Sequence, residues 1–177
     1  MKIIAGQWRG RALVAPKGLA TRPTIARTRE ALFSMLQSRL GSFEGLEVAD
    51  LFAGSGALGL EALSRGAARC TFFETDRAAI TAIKANVAKL GAAADIRSQD
   101  ATRAAGGPFH LVLMDPPYGT GLGQKALAQL AEAKALAPGA LVSIETDRSE
   151  TVSVPGLEVE TERNHGKAKL TLLRAAS

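Results

Sequence analysis

An α/β domain is the fold class this sequence predicts: a mostly parallel, doubly wound sheet that closes in a carboxy-terminal antiparallel hairpin and follows a basic amino-terminal extension. Three observations predict it. From residue 46 onward, apolar runs of strand length alternate with helical periodicities, and a glycine-rich turn joins the first run to its helix. The last two runs are separated by Asn164-His165-Gly166, turn chemistry that makes them antiparallel neighbours.

The elements follow in order. Lys2–Ala5 and Arg11–Ala15 flank Gly6-Gln7-Trp8-Arg9-Gly10 and predict a hairpin, and Pro16–Arg22 reads as loop. Ile25, Leu32, Phe33, Leu36 and Leu40 share one face of a helix over 25–40. Strand 46–52 leads through the glycine turn into helix 56–65, which Gly66 ends. Strand 69–74 and helix 77–90 come next, with Asp76 as N-cap and Ile80, Ile83, Val87 and Leu90 on the apolar face. Strand 94–97, a helical turn near 100–105, strand 109–115, helix 122–135 and strand 139–146 continue the alternation, and strands 157–162 and 168–174 close it.

Ligands of such a sheet gather at the carboxyl ends of its strands, near the point where strand order reverses. The ends at Phe52, Glu74, Gln99-Asp100 and Asp115 should therefore converge. In Ala53-Gly54-Ser55-Gly56-Ala57-Leu58-Gly59, Gly54 and Gly56 let backbone approach a ligand and Gly59 lets helix pack on sheet. The same spacing suits a dinucleotide site or an unliganded turn. Glu74, at the next strand end, is placed to accept from ribose hydroxyls and so favours a nucleoside.

Asp115-Pro116-Pro117-Tyr118 ends a strand that reads as buried. Each proline lacks an N–H and fixes its φ, so the chain leaves the sheet rigidly and its carbonyls can turn toward a ligand. The rim suits a planar group bearing an amine, which would donate to the Asp115 carboxylate and the Pro116 carbonyl while the Tyr118 ring stacks on it. A strand end followed by a Pro-Pro turn and a surface tyrosine is the plainer reading of these four residues.

Charge bounds the partners. Residues 1–40 carry eight Lys/Arg and one acid, whereas residues 41–177 carry fourteen and sixteen, so the net +5 originates in the first quarter. Arg9, Arg11, Arg22, Arg27 and Arg29 beside Trp8 read as a polyanion-binding element, or as a solvated basic face with Trp8 as an apolar anchor. A chain of 177 residues with 46% hydrophobic content suits one catalytic domain, 41–177, with the extension 1–40 packed on it and no separate reading domain. No apolar run approaches 18 residues and the start lacks a signal-peptide core, which predicts a soluble, cytoplasmic protein. Cys70 is the only cysteine and reads as a core residue. His110 and His165 lack partners at ligand spacing, so no metal is expected.

Asp50-x-Phe52-x-Gly54-x-Gly56, Glu74 and Asp115–Tyr118 together resemble the S-adenosylmethionine-dependent enzymes that methylate exocyclic amines of nucleobases. Ile4–Arg11, Arg22-Pro23-Thr24, Arg27-x-Arg29-Glu30-Ala31-Leu32-Phe33 and Phe52–Gly66 further resemble the signature blocks of the RsmD family, over essentially the whole chain. The resemblance implies a Rossmann-like methyltransferase fold that moves a methyl group from S-adenosyl-L-methionine to N2 of a guanine in bacterial small-subunit (16S) ribosomal RNA, within assembled or partly assembled subunits and without metal or membrane. It assigns the cofactor turn to Asp50, Phe52, Gly54, Ser55 and Gly56, the ribose to Glu74, the adenine amine to Asp100, catalysis to Asp115, Pro116, Pro117 and Tyr118, and RNA contacts to the five arginines. Asp50 also suits a polar strand end and Asp100 a helix N-cap. N6-adenine methyltransferases share the Asp-Pro-Pro-aromatic motif, and a nicotinamide-dependent oxidoreductase would share the glycine turn, so both remain alternatives.

Overall fold

Alternation along the strands sorts the apolar residues into two cores. In the computed structural model, which describes residues 1–16 and 23–177, Val48 of β1 (Glu47–Leu51) packs into one core while Ala49 and Leu51 pack into the other. The same parity holds in β4 (Phe109–Met114), where Leu111 and Leu113 face the first core and Val112 and Met114 the second. Apolar residues on both faces of a strand require cover on both sides. The first core is covered by α1 (Pro23–Leu40), α2 (Ala57–Ser64) and α3 (Arg77–Leu90), which supply Phe33, Leu60 and Ile83. The second is covered by α4 (Leu122–Glu132) and a 3₁₀ turn, Ala101–Arg103.

The remaining strands are β2 (Arg69–Glu74), β3 (Ala94–Ser98), β5 (Leu136–Asp147), β6 (Leu157–His165) and β7 (Ala168–Ala175). They form a seven-stranded sheet in the order β3-β2-β1-β4-β5-β7-β6. Neighbours from β3 to β5 are parallel, and β7 runs antiparallel to both β5 and β6. The fold is the expected α/β class. Strand order reverses between β1 and β4, so the carboxyl ends of those strands flank the crevice.

Local signals hold where they have a local cause. The Asp76 carboxylate accepts from the Ala79 N–H at 2.9 Å, and Gly91 ends α3 with φ 64°. The amino-terminal hairpin forms but is short: Lys2 bridges Ala12, Leu13 N–H donates to the Met1 carbonyl at 2.8 Å and Ile3 N–H to the Arg11 carbonyl at 3.0 Å, whereas the Ile4 and Ala5 N–H groups donate to the Glu61 carboxylate of α2. One expectation is corrected. Helix α4 ends at Glu132 and β5 begins at Leu136, since a left-handed Lys134 (φ 54°) turns the chain to set Leu136 beside Phe109.

Residues 1–16 lie along α2 and α3. Trp8 N–H donates to Ser64 Oγ at 3.0 Å, Ser64 Oγ donates to the Ala5 carbonyl at 2.6 Å, and Asn86 bonds both to the Val14 backbone and to the Ser55 carbonyl. With the arm in place, α2 is buried from Gly59 to Ser64. Gly59 meets the sheet so closely that a Cβ would stand 2.5 Å from Phe72 Cε1 and 2.6 Å from Cys70 Sγ. Gly59→Ala should therefore cost about 1–3 kcal/mol through overpacking. Urea unfolding of the variant checks this, and unchanged stability would mean that helix and sheet can separate at no cost.

Candidate functional site

A cleft of about 660 Å³ opens at the carboxyl ends of β1, β4 and β5. Its floor is the turn after β1. Phe52 adopts φ 59°, a left-handed conformation that costs a non-glycine residue about 1–3 kcal/mol, and Gly54 and Gly56 follow with φ 58° and 82°. Asp50 does not reach the opening. Only 1% exposed, it points back from β1 and accepts from the Gly59 N–H at 2.9 Å, tying the turn to the start of α2. Burial, and after it the charges of Asp115 and Glu74, push the Asp50 carboxyl well above the usual carboxylate range, against the opposing pull of the Gly59 N–H.

Glu74 holds the same turn from the next strand. One carboxylate oxygen accepts from the Gly54 N–H at 2.8 Å, and the other accepts from Thr75 and Asp76 N–H. Asp100 is exposed, and its Oδ1 accepts from the N–H and hydroxyl of Thr102 at 2.9 Å each. It caps the 3₁₀ turn, and those bonds hold its carboxyl below the usual range.

Asp115 and Tyr118 line the cleft where β4 ends. The turn between them is clamped from behind: Pro116 is buried against Gly123 of α4, where a Cβ would come within 2.7 Å of Pro116 Cγ. Thr120 Oγ1 donates to the Pro117 carbonyl at 3.0 Å, and Gly119 N–H donates to Glu150 Oε1 at 3.1 Å. Tyr118 stays 46% exposed. Burial, and then the negative charges of Glu145, Asp115 and Asp147, push its hydroxyl up to about 12.

Sequence reasoning missed two walls. β5 contributes Ser143 and Glu145, and the β6–β7 turn contributes His165 and Lys167. Glu145 was discoverable as an acid at the carboxyl end of the strand after β4; nothing local pointed to the β6–β7 turn. The predicted arginines divide. Arg9, Arg11 and Arg27 are exposed, and Arg11 reaches the Lys89 carbonyl at 3.4 Å. Arg29 is 6% exposed, lines the cleft and donates to the Lys2 carbonyl. Burial lowers its pKa, opposed by Glu61 and assisted by Arg65. Arg22 lies outside the described residues. Among the described residues no cluster of three or more His, Cys, Asp or Glu could hold a metal, and no helix is long and apolar enough to cross a membrane.

The profile of a family described as Conserved hypothetical protein 95 matches residues 1–174. Ribosomal RNA small subunit methyltransferase D of Escherichia coli K12 is 42% identical over 151 residues, 83% of this chain and 75% of that protein. Its Haemophilus influenzae counterpart is 36% identical over 163 residues, 88% and 83% of the two chains. The chain belongs to this methyltransferase family. Among solved structures, Escherichia coli yhhF covers 100% of the family member described here, and 98% of its own length, at 37% identity and TM-score 0.88. Magnesium protoporphyrin IX methyltransferase from Synechocystis, solved with bound SAM, covers 86% of this chain and 80% of its own at 14% identity and TM-score 0.68, a likeness of fold alone.

Proposed function

We propose that this family member transfers a methyl group from S-adenosyl-L-methionine to the exocyclic N2 amine of a guanine in small-subunit ribosomal RNA. The single observation that carries the reading is the cleft itself, where the Phe52–Ser55 turn and the Asp115 and Tyr118 side chains line one cavity at the strand-order reversal. The names of its relatives support ribosomal RNA as the substrate.

The residues present suit the cofactor. Gly54 lines the cleft with bare backbone while Gly56, buried against Ile83 and Phe72, shapes the turn; Glu74 stands beside that turn as a ribose acceptor, and the buried Arg29, whose Nε has no partner among the described residues, offers a cation for a carboxylate. When bound, the cofactor supplies an electrophilic methyl on sulfonium. The protein's part is to position and polarise the target. An exocyclic amine is a weak nucleophile because its lone pair is delocalised into the ring. Accepting its hydrogens at the Asp115 carboxylate and the Pro116 carbonyl favours a pyramidal nitrogen and stabilises the positive charge that grows there. The Tyr118 ring holds the extruded base, and stacking of about 1–3 kcal/mol offsets much of the few kcal/mol that extrusion costs. Arg9, Arg11 and Arg27 would take phosphates, as would Arg22, and such contacts position RNA without reading sequence. Selection of one guanine must then come from shape, which points to assembled or partly assembled subunits.

The test compares initial rates of methyl transfer to unmethylated small subunits, the same RNA stripped of protein, and a short stem-loop, with mass spectrometry of the product. N2-methylguanine formed fastest on subunits is expected. N6-methyladenine would replace the guanine reading, and equal rates on the bare stem-loop would mean that local sequence is read. Glu74→Gln should raise the cofactor Kd by about tenfold or more, through weakened charge-assisted hydrogen bonds worth about 1.5–3 kcal/mol each. Calorimetry measures this, and unchanged affinity would remove Glu74 from the ribose.

A further inference from the structure

β4 and β5 are parallel with Leu113 beside Ser143 and Met114 beside Ile144. One step further, Glu145 stands beside Asp115. Both belong to the same face of the sheet, since Leu113 and Leu141 pack into the core under α1 and α2. Both line the cleft, and the Glu145 carboxyl lies within hydrogen-bonding reach of Asp115 and of the Tyr118 hydroxyl. Two neighbouring carboxyl groups repel when both are ionised, and here that repulsion, added to burial, falls on the Glu145 carboxyl.

We propose that Glu145 is a second carboxyl of the target-amine site: in its ionised form it takes up the proton that the methylated amine sheds. The proposal rests on the methyl-transfer reading of the cleft. In the transfer, the nitrogen lone pair forms the N–C bond as the C–S bond breaks with its electron pair to sulfur, leaving the nitrogen positive. One N–H bond then breaks, its pair returns to nitrogen, and the proton passes to a carboxylate oxygen of the pair and later to water. Asp115 alone could accept hydrogen bonds from the amine. A second carboxyl lets the site keep one acceptor on the amine while the other carries the proton.

The surroundings set the direction of the pH dependence. Burial first, and Asp115 next, push Glu145 up to about 8, against the Tyr118 hydroxyl, which favours the ionised form. The other residues with charged or titratable groups that line this cleft are His165 at the end of β6, Lys167 of the following turn, Arg29 of α1, and Lys2 and the amino-terminal Met1 of the arm, with Asp147 two residues further along β5. Below about pH 8 the Glu145 carboxyl holds a proton and cannot accept another. The rate should therefore rise with pH and level off above that value.

Tyr118 is the only tyrosine in the chain, so near-ultraviolet tyrosinate absorbance reports on this cluster without any turnover. Wild type should titrate near 12, and Glu145→Gln should titrate closer to the ordinary tyrosine value of about 10, because a negative neighbour is gone. In methyl-transfer assays on small subunits, the wild-type kcat/KM should show the inflection near pH 8. Glu145→Gln should lose that inflection and run about a hundredfold slower on the plateau, within the range of general-base catalysis. A wild-type tyrosine that titrates at its ordinary value overturns the proposal with no variant needed. So does a Glu145→Gln variant with unchanged titration or an unchanged pH profile. If the tyrosine titration shifts as expected but wild type methylates no RNA, the methyl-transfer reading fails and the proton-acceptor role with it, while the place of Glu145 beside Tyr118 stands.

Discussion

Asp115→Ala is expected to slow methyl transfer by roughly 10²–10³-fold, the usual loss when one preorganised electrostatic partner of a developing charge is removed. The side chain leaves the end of β4 and lines the cleft next to Glu145 and Tyr118, whereas the turn assigned to the cofactor is held by Asp50 and Glu74. The loss should therefore appear in kcat, with cofactor affinity by calorimetry within about twofold of wild type. Because Asp115 is exposed, its truncation leaves no buried partner stranded and the melting temperature should hardly move. Loss of cofactor binding in step with activity would move Asp115 into the cofactor pocket.

Glu61→Ala should be the most damaging substitution for stability, at about 3–5 kcal/mol, the cost of breaking a buried ion pair by removing one partner. The Glu61 side chain is fully buried in α2. Its two oxygens accept from the Ile4 and Ala5 N–H groups at 2.9 and 3.0 Å, and Arg65 Nε closes an ion pair at 3.0 Å. Truncation would orphan two backbone donors and leave Arg65 without its carboxylate, with the buried Arg29 nearby. For a chain of this length each kcal/mol lowers Tm by about 2–4 °C, so a fall of about 6–20 °C is expected by calorimetry. Glu158→Ala, on an exposed strand position, is the control and should stay within about 0.5 kcal/mol. A small effect at Glu61 would mean that the arm is held chiefly by Ser64 and Asn86.

Glu61 also illustrates how far reading the chain can go. As a sequence, α2 is a good helix ending at Gly66, and its acid at position 61 looks like any solvent-facing residue. Only the docked arm shows why an 8-residue helix carries a carboxylate with no exposure. Asp50 is a parallel case: its place at the strand end was legible, but not that its carboxylate turns inward to Gly59. Asp100 suited both a ligand contact and a cap, and in the structure its carboxylate caps the 3₁₀ turn.

What the sequence by itself determined are the features whose causes are local. Alternating periodicities set the order of strands and helices, Asp76 and Gly91 bound α3, and the prolines after Met114 set a rigid rim at the end of β4. Those signals depend on residues within a turn or two of one another. Tertiary structure alone decided that β7 inserts between β5 and β6, which brings His165 and Lys167 to the cleft. It also decided that Glu145 stands beside Asp115, thirty residues away in the chain. The physical reason is that a strand's neighbour and register are chosen by the burial of whole faces, and the charge state of a carboxyl by what that choice places next to it.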